Sequence, residues 1–237
     1  MACWRRRPET VSDERLLHIL RRLVEVNPRG GPAGLCQVSA EVVEVSGAGI
    51  MLMSSDTYPR GSLCSTDTVS ALIETLQFTL GEGPCIDAYR DDRVVAEVDL
   101  AAPSNPRWMA LGPPLVRAGV RGVFGFPMRV GAIRLGALNL YMDRPGPLRD
   151  EQHFDALAMA YVAARVVLSS GPSAPDLTGL PGADFHLVVH QAAGMISVQL
   201  DVSLAEALAR LRARAFGADT TVDAVAADVV ARRIRFD

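Results

Sequence analysis

The chain has 237 residues, enough for one sizeable domain and a small second one, and its hydrophobic content of 49% is ample for a core. All 24 basic residues are arginine, but the formal net charge is −3, so bulk charge gives no nucleic-acid signature. No run approaches 18 apolar residues and the basic N-terminus lacks an apolar signal core, which argues against a membrane span or a secretory signal. We therefore expect a cytoplasmic protein.

The first predicted helix follows an N-terminal segment, residues 1–11, that is expected to be disordered. Ser12 is the expected N-cap, and the helix runs to Val26 with leucine and valine at helical spacing. This helix should either pack under the following domain or pair with a second copy of itself.

The middle of the chain, residues 33–168, mixes predicted helices with predicted strands. Helices are expected at 33–44, 67–79, from Pro84 onward, at 106–118 and at 150–168, and strands at 47–54, 61–66, 93–98, 120–129 and 133–141. Residues 58–61, which contain Pro59 and Gly61, are typical of a turn. This order predicts an α+β fold with a mostly antiparallel sheet.

Three segments in this region, in this order, are similar to GAF domains: LGEGPC (80–85), DLAAPSNPRW (99–108) and AGVRGVFGFPMRVGAIRLGALNLYMDRPG (118–146). The resemblance implies an antiparallel sheet flanked by helices that binds a small molecule or dimerises. We expect a GAF-like sensor domain over residues 12–168, with dimerisation helices at both ends. The residue sets of GAF domains that bind cyclic nucleotides or bilins are missing, so the ligand and any cofactor stay unknown.

Four cysteines, Cys3, Cys36, Cys64 and Cys85, are scattered without a CxxC pair. This spacing does not favour structural zinc, and a reducing cytosol does not favour disulfides, so we expect free thiols. Cys85 lies in the first turn of a predicted helix, where the helix dipole favours a thiolate. It is the candidate for redox sensing, and the alternative is a small residue packed under the glycine turn.

A stretch rich in Gly, Pro and Ser, residues 169–184, predicts a flexible linker, and three short amphipathic helices follow it. The first is expected over about 184–199, with Phe185 on its buried stripe and Ala193 on the opposite side. The second begins at Ser203, in a capping box with Glu206, and ends at Gly217 in the left-handed cap conformation.

The third helix should start at Thr220 or Thr221, bury an apolar stripe, and pair Asp228 with Arg232 on its wet side. Helices this short are marginal alone in water, so the three are expected to form one compact bundle.

The patterns HQAAGMISVQL (190–200), SLAEALARLRARAF (203–216) and VDAVAADVV (222–230) resemble the ANTAR domain of bacterial transcription antitermination regulators. That family binds RNA stem-loops in leader transcripts, usually as a dimer, and so prevents a terminator from forming. The resemblance implies an all-α RNA-binding domain over residues 185–237 and, with the GAF-like domain, an actinobacterial antitermination regulator that acts as a homodimer. Ala193 is a departure, because the family commonly has a polar or basic residue there.

Polar and basic side chains of the bundle are the candidates for RNA contact, because arginine grips phosphate and stacks on unpaired bases. The candidates are His190, Gln191, Arg212, Arg214, Arg232, Arg233 and Arg235. The alternative for any one arginine is a solvated helix surface paired with a nearby acid. His186 and His190 have metal-capable spacing, but no third ligand lies near them in sequence, so no metal site is predicted.

Three functional hypotheses stay open. The first is a sensory RNA-binding regulator whose GAF domain responds to a small molecule or a redox signal and controls how two ANTAR bundles meet RNA hairpins. The second is a GAF-type, thiol-dependent small-molecule enzyme using Cys85. The third is a protein-interaction module that has lost RNA binding, which Ala193 keeps open. Since no Ser, His and acid arrangement has a nucleophile turn, we interpret the chain as a non-enzyme.

Overall fold

A computed structural model describes residues 12–28, 32–54, 58–102, 107–170, 184–218 and 220–237. The segment expected to be disordered, residues 1–11, and residues 171–183 of the expected linker lie outside this range. Helix α1 spans Asp13–Val26, and the Ser12 hydroxyl accepts the Arg15 backbone N–H, so the predicted N-cap is confirmed.

The described elements after α1 confirm the predicted α+β class. They are α2 (Leu35–Val43), β1 (Gly47–Met53), β2 (Pro59–Ser65), α3 (Thr68–Leu80), α4 (Pro84–Asp91), β3 (Val95–Glu97), α5 (Gly112–Arg117), β4 (Gly122–Val130), β5 (Ile133–Met142), α6 (Asp150–Ser170), α7 (Leu187–Leu200), α8 (Leu204–Gly217) and α9 (Val222–Val230).

The five strands form one antiparallel sheet in the order β2-β1-β5-β4-β3, so β2 and β3 are its edges. Strand β1 is buried throughout, and its side chains alternate between two cores. Ile50 and Leu52 face the core beneath α1, α2 and α6, whereas Met51 and Met53 face the core beneath α3 and α4. We call this sheet with α1–α6 the sheet domain.

Two local predictions in the sheet domain are wrong. The expected turn at 58–61 instead contributes Pro59, Arg60 and Gly61 to β2, because an edge strand tolerates a proline as its first residue. The helix expected from residue 106 begins only at Gly112, and Trp108 precedes it in irregular backbone. Its indole N–H donates to the Asp87 carboxylate at 3.0 Å, which holds this segment onto α4 without a helix.

The three C-terminal helices form a compact bundle whose caps largely match the sequence. Ser203 and Thr221 accept backbone N–H groups in the first turns of α8 and α9. The carboxylate of Glu206 binds Arg210 instead of completing a capping box. Gly217 ends α8 but is not left-handed, since the chain leaves through Ala218 with φ −97°.

Other bundle predictions also need correction. Ala193 is 1% exposed, because it lies in the apolar cluster that the bundle shares with the sheet domain and not on a polar side. Helix α7 starts at Leu187, so Phe185 precedes it and packs on the core of the sheet domain. Asp228 binds Arg233 and not Arg232, because the chain turns out of the helix before Arg232.

The bundle packs against the sheet domain through α3, and residues of both parts share one apolar cluster. Asp184 forms a β-bridge with Ser62 on edge strand β2, with reciprocal N···O distances of 2.7 and 2.9 Å. Among the described residues, no single helix is long and apolar enough to cross a membrane. The α7–α8 pair meets that criterion only jointly, and its axis is bent by 107°.

Candidate functional site

Five of the seven residues predicted to contact RNA lie on two surfaces of the bundle. A cleft between α7 and the residues after α9, with a volume of about 780 Å³, forms the first surface. We call it the cleft face, and it is lined by Gln191, Gly194, Met195, Val198, Gln199, Arg232, Ile234 and Arg235. The second surface, here the docked face, comprises His186, His190 and Arg212, which lie against the sheet domain.

The cleft face combines cations with an apolar floor. Gln191, Arg232 and Arg235 are exposed on its rim, and Val198 is 85% exposed within it. The tail after α9 is held in place because Gln199 accepts the backbone N–H of Phe236 at 3.2 Å. The cleft therefore offers guanidinium groups for phosphate beside apolar side chains on which a base could stack.

Arg232 occupies a backbone position that normally selects glycine. The Arg232 N–H bonds to the Val229 carbonyl at 2.9 Å, and the Arg233 N–H bonds to the Asp228 carbonyl at 2.8 Å. This is the Schellman pattern, and Arg232 sits at its left-handed residue with φ 59°. Arg232 is one of five non-glycine residues with positive φ among the described residues, and glycine would avoid the conformational strain that it carries.

The remaining predicted arginines are exposed but have partners. The guanidinium of Arg214 lies 5.6 Å from the ring centroid of Phe236, and Arg233 binds Asp228 through Nε at 2.8 Å. Arg233 is therefore partly neutralised, and of the predicted arginines Arg232 and Arg235 are the two that line the cleft.

On the docked face, two histidines contact the sheet domain. The ring of His186 stacks on Phe78 at 3.8 Å between centroids, and its Nδ1 lies 3.2 Å from Asp223. Nε2 of His190 lies 2.7 Å from the Arg60 carbonyl oxygen of edge strand β2. The nitrogens of the two rings thus have different partners, and the described residues contain no cluster of three or more potential metal ligands.

Arg212 is the third docked side chain and the least satisfied. Its guanidinium lies 5.7 Å from the Phe78 ring centroid, while Nε and Nη2 are buried without a hydrogen-bond partner among the described residues. Burial lowers the pKa of Arg212 to about 10. A buried cation that lacks an acidic partner destabilises the arrangement that contains it.

Close backbone approach joins the docked face to strand β2. Gly61 has φ +144°, and a Cβ there would lie 2.4 Å from the Asp184 carbonyl oxygen and 2.5 Å from Phe185 Cα. Only glycine permits this contact. No sequence pattern predicted the docking, because Gly61 resembles an ordinary turn glycine and its partner lies far along the chain.

The cysteines differ from the prediction of free thiols. Cys36 of α2 and Cys64 of β2 form a disulfide, whereas Cys85 is free and fully buried. Burial and the neighbouring Glu74 raise the pKa of Cys85 well above its usual value. The expectation of a thiolate favoured by the helix dipole is therefore wrong, because burial outweighs the dipole.

A buried polar cluster surrounds Cys85 between α3 and the sheet. The Gln77 side-chain oxygen accepts the Cys85 backbone N–H at 2.8 Å. Both Glu74 oxygens and both polar side-chain atoms of Asn139 are buried, and the two side chains lie close enough to interact but do not form a hydrogen bond of good geometry. Burial raises the pKa of Glu74 to about 8, although the nearby Asn139 opposes this shift, so the carboxyl is largely protonated at neutral pH.

Sequence reasoning missed the apolar part of the cleft. Gly194 in the middle of α7 was a usable signal, because glycine inside a helix lowers its stability. A Cβ at Gly194 would meet nothing within 4 Å, so packing within the described residues does not require glycine there.

No protein-family model and no curated protein matches the chain. The structure is similar to the GAF domain of a phosphoenolpyruvate-protein phosphotransferase from Coxiella burnetii, with a TM-score of 0.50 and 17% identity over 67% of this chain and 96% of that one. The corresponding domain from Acinetobacter has a TM-score of 0.47 at 14% identity, over 70% and 99% of the two chains. A type II free methionine-R-sulfoxide reductase from Thermoplasma acidophilum has a TM-score of 0.44 at 17% identity, over 66% of this chain and 96% of that one. The first of these likenesses establishes a GAF-like fold, and at such identities it concerns the fold alone.

Proposed function

We propose that this protein is an RNA-binding transcription antitermination regulator of the cytoplasm. In this proposal the GAF-like domain, residues 12–168, senses a small molecule or a redox signal. It controls how the C-terminal ANTAR bundle, residues 185–237, meets stem-loops in leader RNA. The expected linker, residues 169–184, joins the two parts.

The observation that carries the proposal is Arg232 at the left-handed position after α9. Glycine would relieve the backbone strain there, so the presence of an arginine needs another explanation. RNA binding is such an explanation, because Gln191 and Arg235 line the same cleft as Arg232. Two guanidinium groups and an amide around one cleft suit the phosphates and exposed bases of an RNA loop.

Gly194 supports the same function. Glycine inside a helix lowers stability relative to alanine, and nothing within 4 Å of its missing Cβ explains it. A helix without a side chain at this point lets an RNA backbone or base approach closely. Met195 and Val198 beside it would pack against the base.

Dimerisation, which the family resemblance implies, is supported by an apolar stripe on α1. Leu17, Leu20 and Val24 lie at helical spacing and are 54%, 46% and 64% exposed. Tyr161 and Leu168 on the neighbouring α6 are also partly exposed. Burying this stripe against a second copy would place two bundles side by side for a pair of hairpins.

The buried polar cluster under α3 is the proposed point of entry for a small-molecule signal. Glu74 and Asn139 do not pair with good geometry, so a ligand that hydrogen-bonds to both groups better than they do to each other would bind favourably. A redox signal would act on the Cys36–Cys64 disulfide. Its reduction by a cellular dithiol takes up two electrons and two protons, leaves two thiols here, and converts the dithiol to a disulfide.

The thiol-enzyme hypothesis is disfavoured by the position of Cys85. A nucleophilic cysteine needs access and a thiolate, whereas Cys85 is fully buried with a raised pKa. The interaction-module hypothesis is tested by the following experiments. Ala193 is 1% exposed while the bundle is docked, so its side chain is not available to RNA in this arrangement.

The first test measures binding of the full chain to a synthetic RNA of two adjacent stem-loops and to a scrambled RNA, at two salt concentrations, with the oligomeric state recorded. Preferential binding to the stem-loops is expected. Equal, weak binding to both RNAs that disappears with salt would leave only nonspecific phosphate attraction and would favour the interaction module.

The second test is Arg232→Gly. This change should keep or raise the melting temperature, because glycine suits the left-handed backbone, yet it should weaken RNA binding and lower the salt slope by about one. Asp201→Gly is the matched control, since Asp201 also has a left-handed backbone with φ 53° but does not line the cleft. Equal RNA affinity of both variants and the unaltered chain would remove Arg232 from the proposed site.

A further inference from the structure

We infer that the docked face is an autoinhibitory contact, in which the GAF-like domain holds the bundle so that His190 and Arg212 cannot reach RNA. The inference rests on the proposed function, because it assigns the docked state a low RNA affinity. It extends that function by naming the surface that is covered and the residues that cover it.

The backbone part of the contact is a short strand addition. Asp184 pairs with Ser62 on the open edge of β2, and Gly61 allows the two chains to approach closely. The bundle therefore begins from a fixed point on the sheet domain. The same strand receives His190 at the Arg60 carbonyl, so β2 fixes both the entry to α7 and its second turn.

The side-chain part of the contact centres on Phe78. This residue of α3 is 1% exposed and touches three bundle side chains: it stacks with His186, meets His190 edge-on at 5.8 Å, and lies under Arg212. Two of these three, His190 and Arg212, are among the residues predicted to bind RNA. The sheet domain thus occupies the positions that an RNA base and a phosphate would need.

Arg212 destabilises the docked state and so lowers the free energy needed to release the bundle. Its Nε and Nη2 atoms give up water and gain no acceptor among the described residues, and the ring of Phe78 compensates only in part. A contact meant only for stability would pair or replace such a group. In the released state, the same guanidinium regains water or binds a phosphate, so RNA and docking compete for it.

Helix α3 connects the contact to the interior of the GAF-like domain. Glu74 and Gln77 on this helix belong to the buried polar cluster, while Phe78 and Gly81 at its end touch the bundle. A ligand or proton that shifts α3 would therefore change both sites together. The regulation is a population shift between docked and released bundles.

The experiment compares Gly61→Ala with Gly146→Ala in the full chain. Both glycines have positive φ, +144° and +132°, but a Cβ at Gly146 would meet nothing within 4 Å. The two variants thus carry similar backbone strain, and only in Gly61→Ala does the new Cβ clash with Asp184 and Phe185. His186→Ala opens the contact from the other side, without altering any residue predicted to bind RNA.

Hydrogen exchange at the Asp184 amide and in α7 reports docking, and titration with the two-stem-loop RNA reports affinity. We expect Gly61→Ala and His186→Ala to exchange faster and bind roughly 10- to 100-fold tighter than the unaltered chain, as for a competent state populated at 1–10%. Gly146→Ala should match the unaltered chain in both measurements.

Faster exchange with unchanged or weaker RNA affinity would overturn the autoinhibitory contact but leave RNA binding intact. Unchanged exchange in both opening variants would show that these contacts do not hold the bundle, and would also overturn the inference. If no chain binds the RNA even with the bundle released, the proposed function fails, and the inference fails with it.

Discussion

The cleft face and the docked face belong to the same three-helix bundle and carry the same kinds of residue, but their surroundings differ. On the cleft face, Arg232 and Arg235 are exposed, and the backbone at Arg232 is strained around the side chain it retains. On the docked face, Arg212 is covered by Phe78 and unpaired at two nitrogens. The difference shows that the neighbours of each arginine in this bundle, and not its residue type, determine whether its guanidinium group is accessible.

The change with the largest expected effect acts on the apolar packing of the bundle that carries both faces. Ala193→Asp would place a carboxylate in the apolar cluster that the bundle shares with the sheet domain, where Ala193 is 1% exposed. We expect a loss of about 3 kcal/mol or more in stability, because the charge has no partner there. Thermal unfolding followed by circular dichroism measures it.

Ala209→Asp is the control for that prediction, because Ala209 is exposed on α8. It should cost less than about 1 kcal/mol, the helix-propensity difference alone. Equal losses for the two variants would contradict the burial of Ala193 and reopen the question of a polar RNA contact at that position.

Arg212→Met should separate the two faces. Methionine keeps much of the apolar volume against Phe78 and removes the unpaired charge, so docking should strengthen by about 1–3 kcal/mol. Hydrogen exchange at Asp184 would slow, while RNA affinity would fall because a phosphate contact is lost and the docked state is more populated. Arg214→Met, on an exposed arginine, should leave exchange at Asp184 unchanged. Faster exchange in Arg212→Met would mean that the charge stabilises docking.

The sequence predicted the local elements better than the contacts between them. Periodicity and caps located α1 and α9, because Ser12 and Thr221 act within one turn of their own helices. The fold class followed from the order of these elements and from the GAF resemblance.

Contacts between distant parts of the chain were not predictable in the same way. The Cys36–Cys64 bond and the burial of Arg212 depend on residues far away in sequence. Cys85 illustrates the limit: the helix start was correctly placed near Pro84, but the protonation of the thiol depends on burial under the whole domain. For the candidate site, the residue types were predictable and their exposure was not.

Gly194→Ala tests the cleft face with a smaller change. Stability should rise by about 1 kcal/mol, since alanine is the better helix residue and its Cβ meets nothing within 4 Å. RNA affinity should fall if the cleft requires close approach to α7. Gly217→Ala, at the end of α8 and with equal space, is the control and should leave RNA affinity unchanged. A rise in stability without any change in RNA affinity would show that RNA does not approach this turn of α7.

The smallest expected effect is the pH response of docking at His190. Burial lowers the pKa of His190 below its usual 6.5, and the charges of His186, Arg60 and Arg212 act in the same direction, while the bond to the Arg60 carbonyl opposes them. A depressed pKa means that docking favours the neutral ring. The contribution to docking is therefore complete above about pH 6.5 and declines as the pH falls toward the docked pKa. An NMR titration of His190 in the unaltered chain and in Gly61→Ala measures it directly. Release of the bundle should raise the His190 pKa toward 6.5, whereas identical values in the two chains would show that the sheet domain does not desolvate this ring.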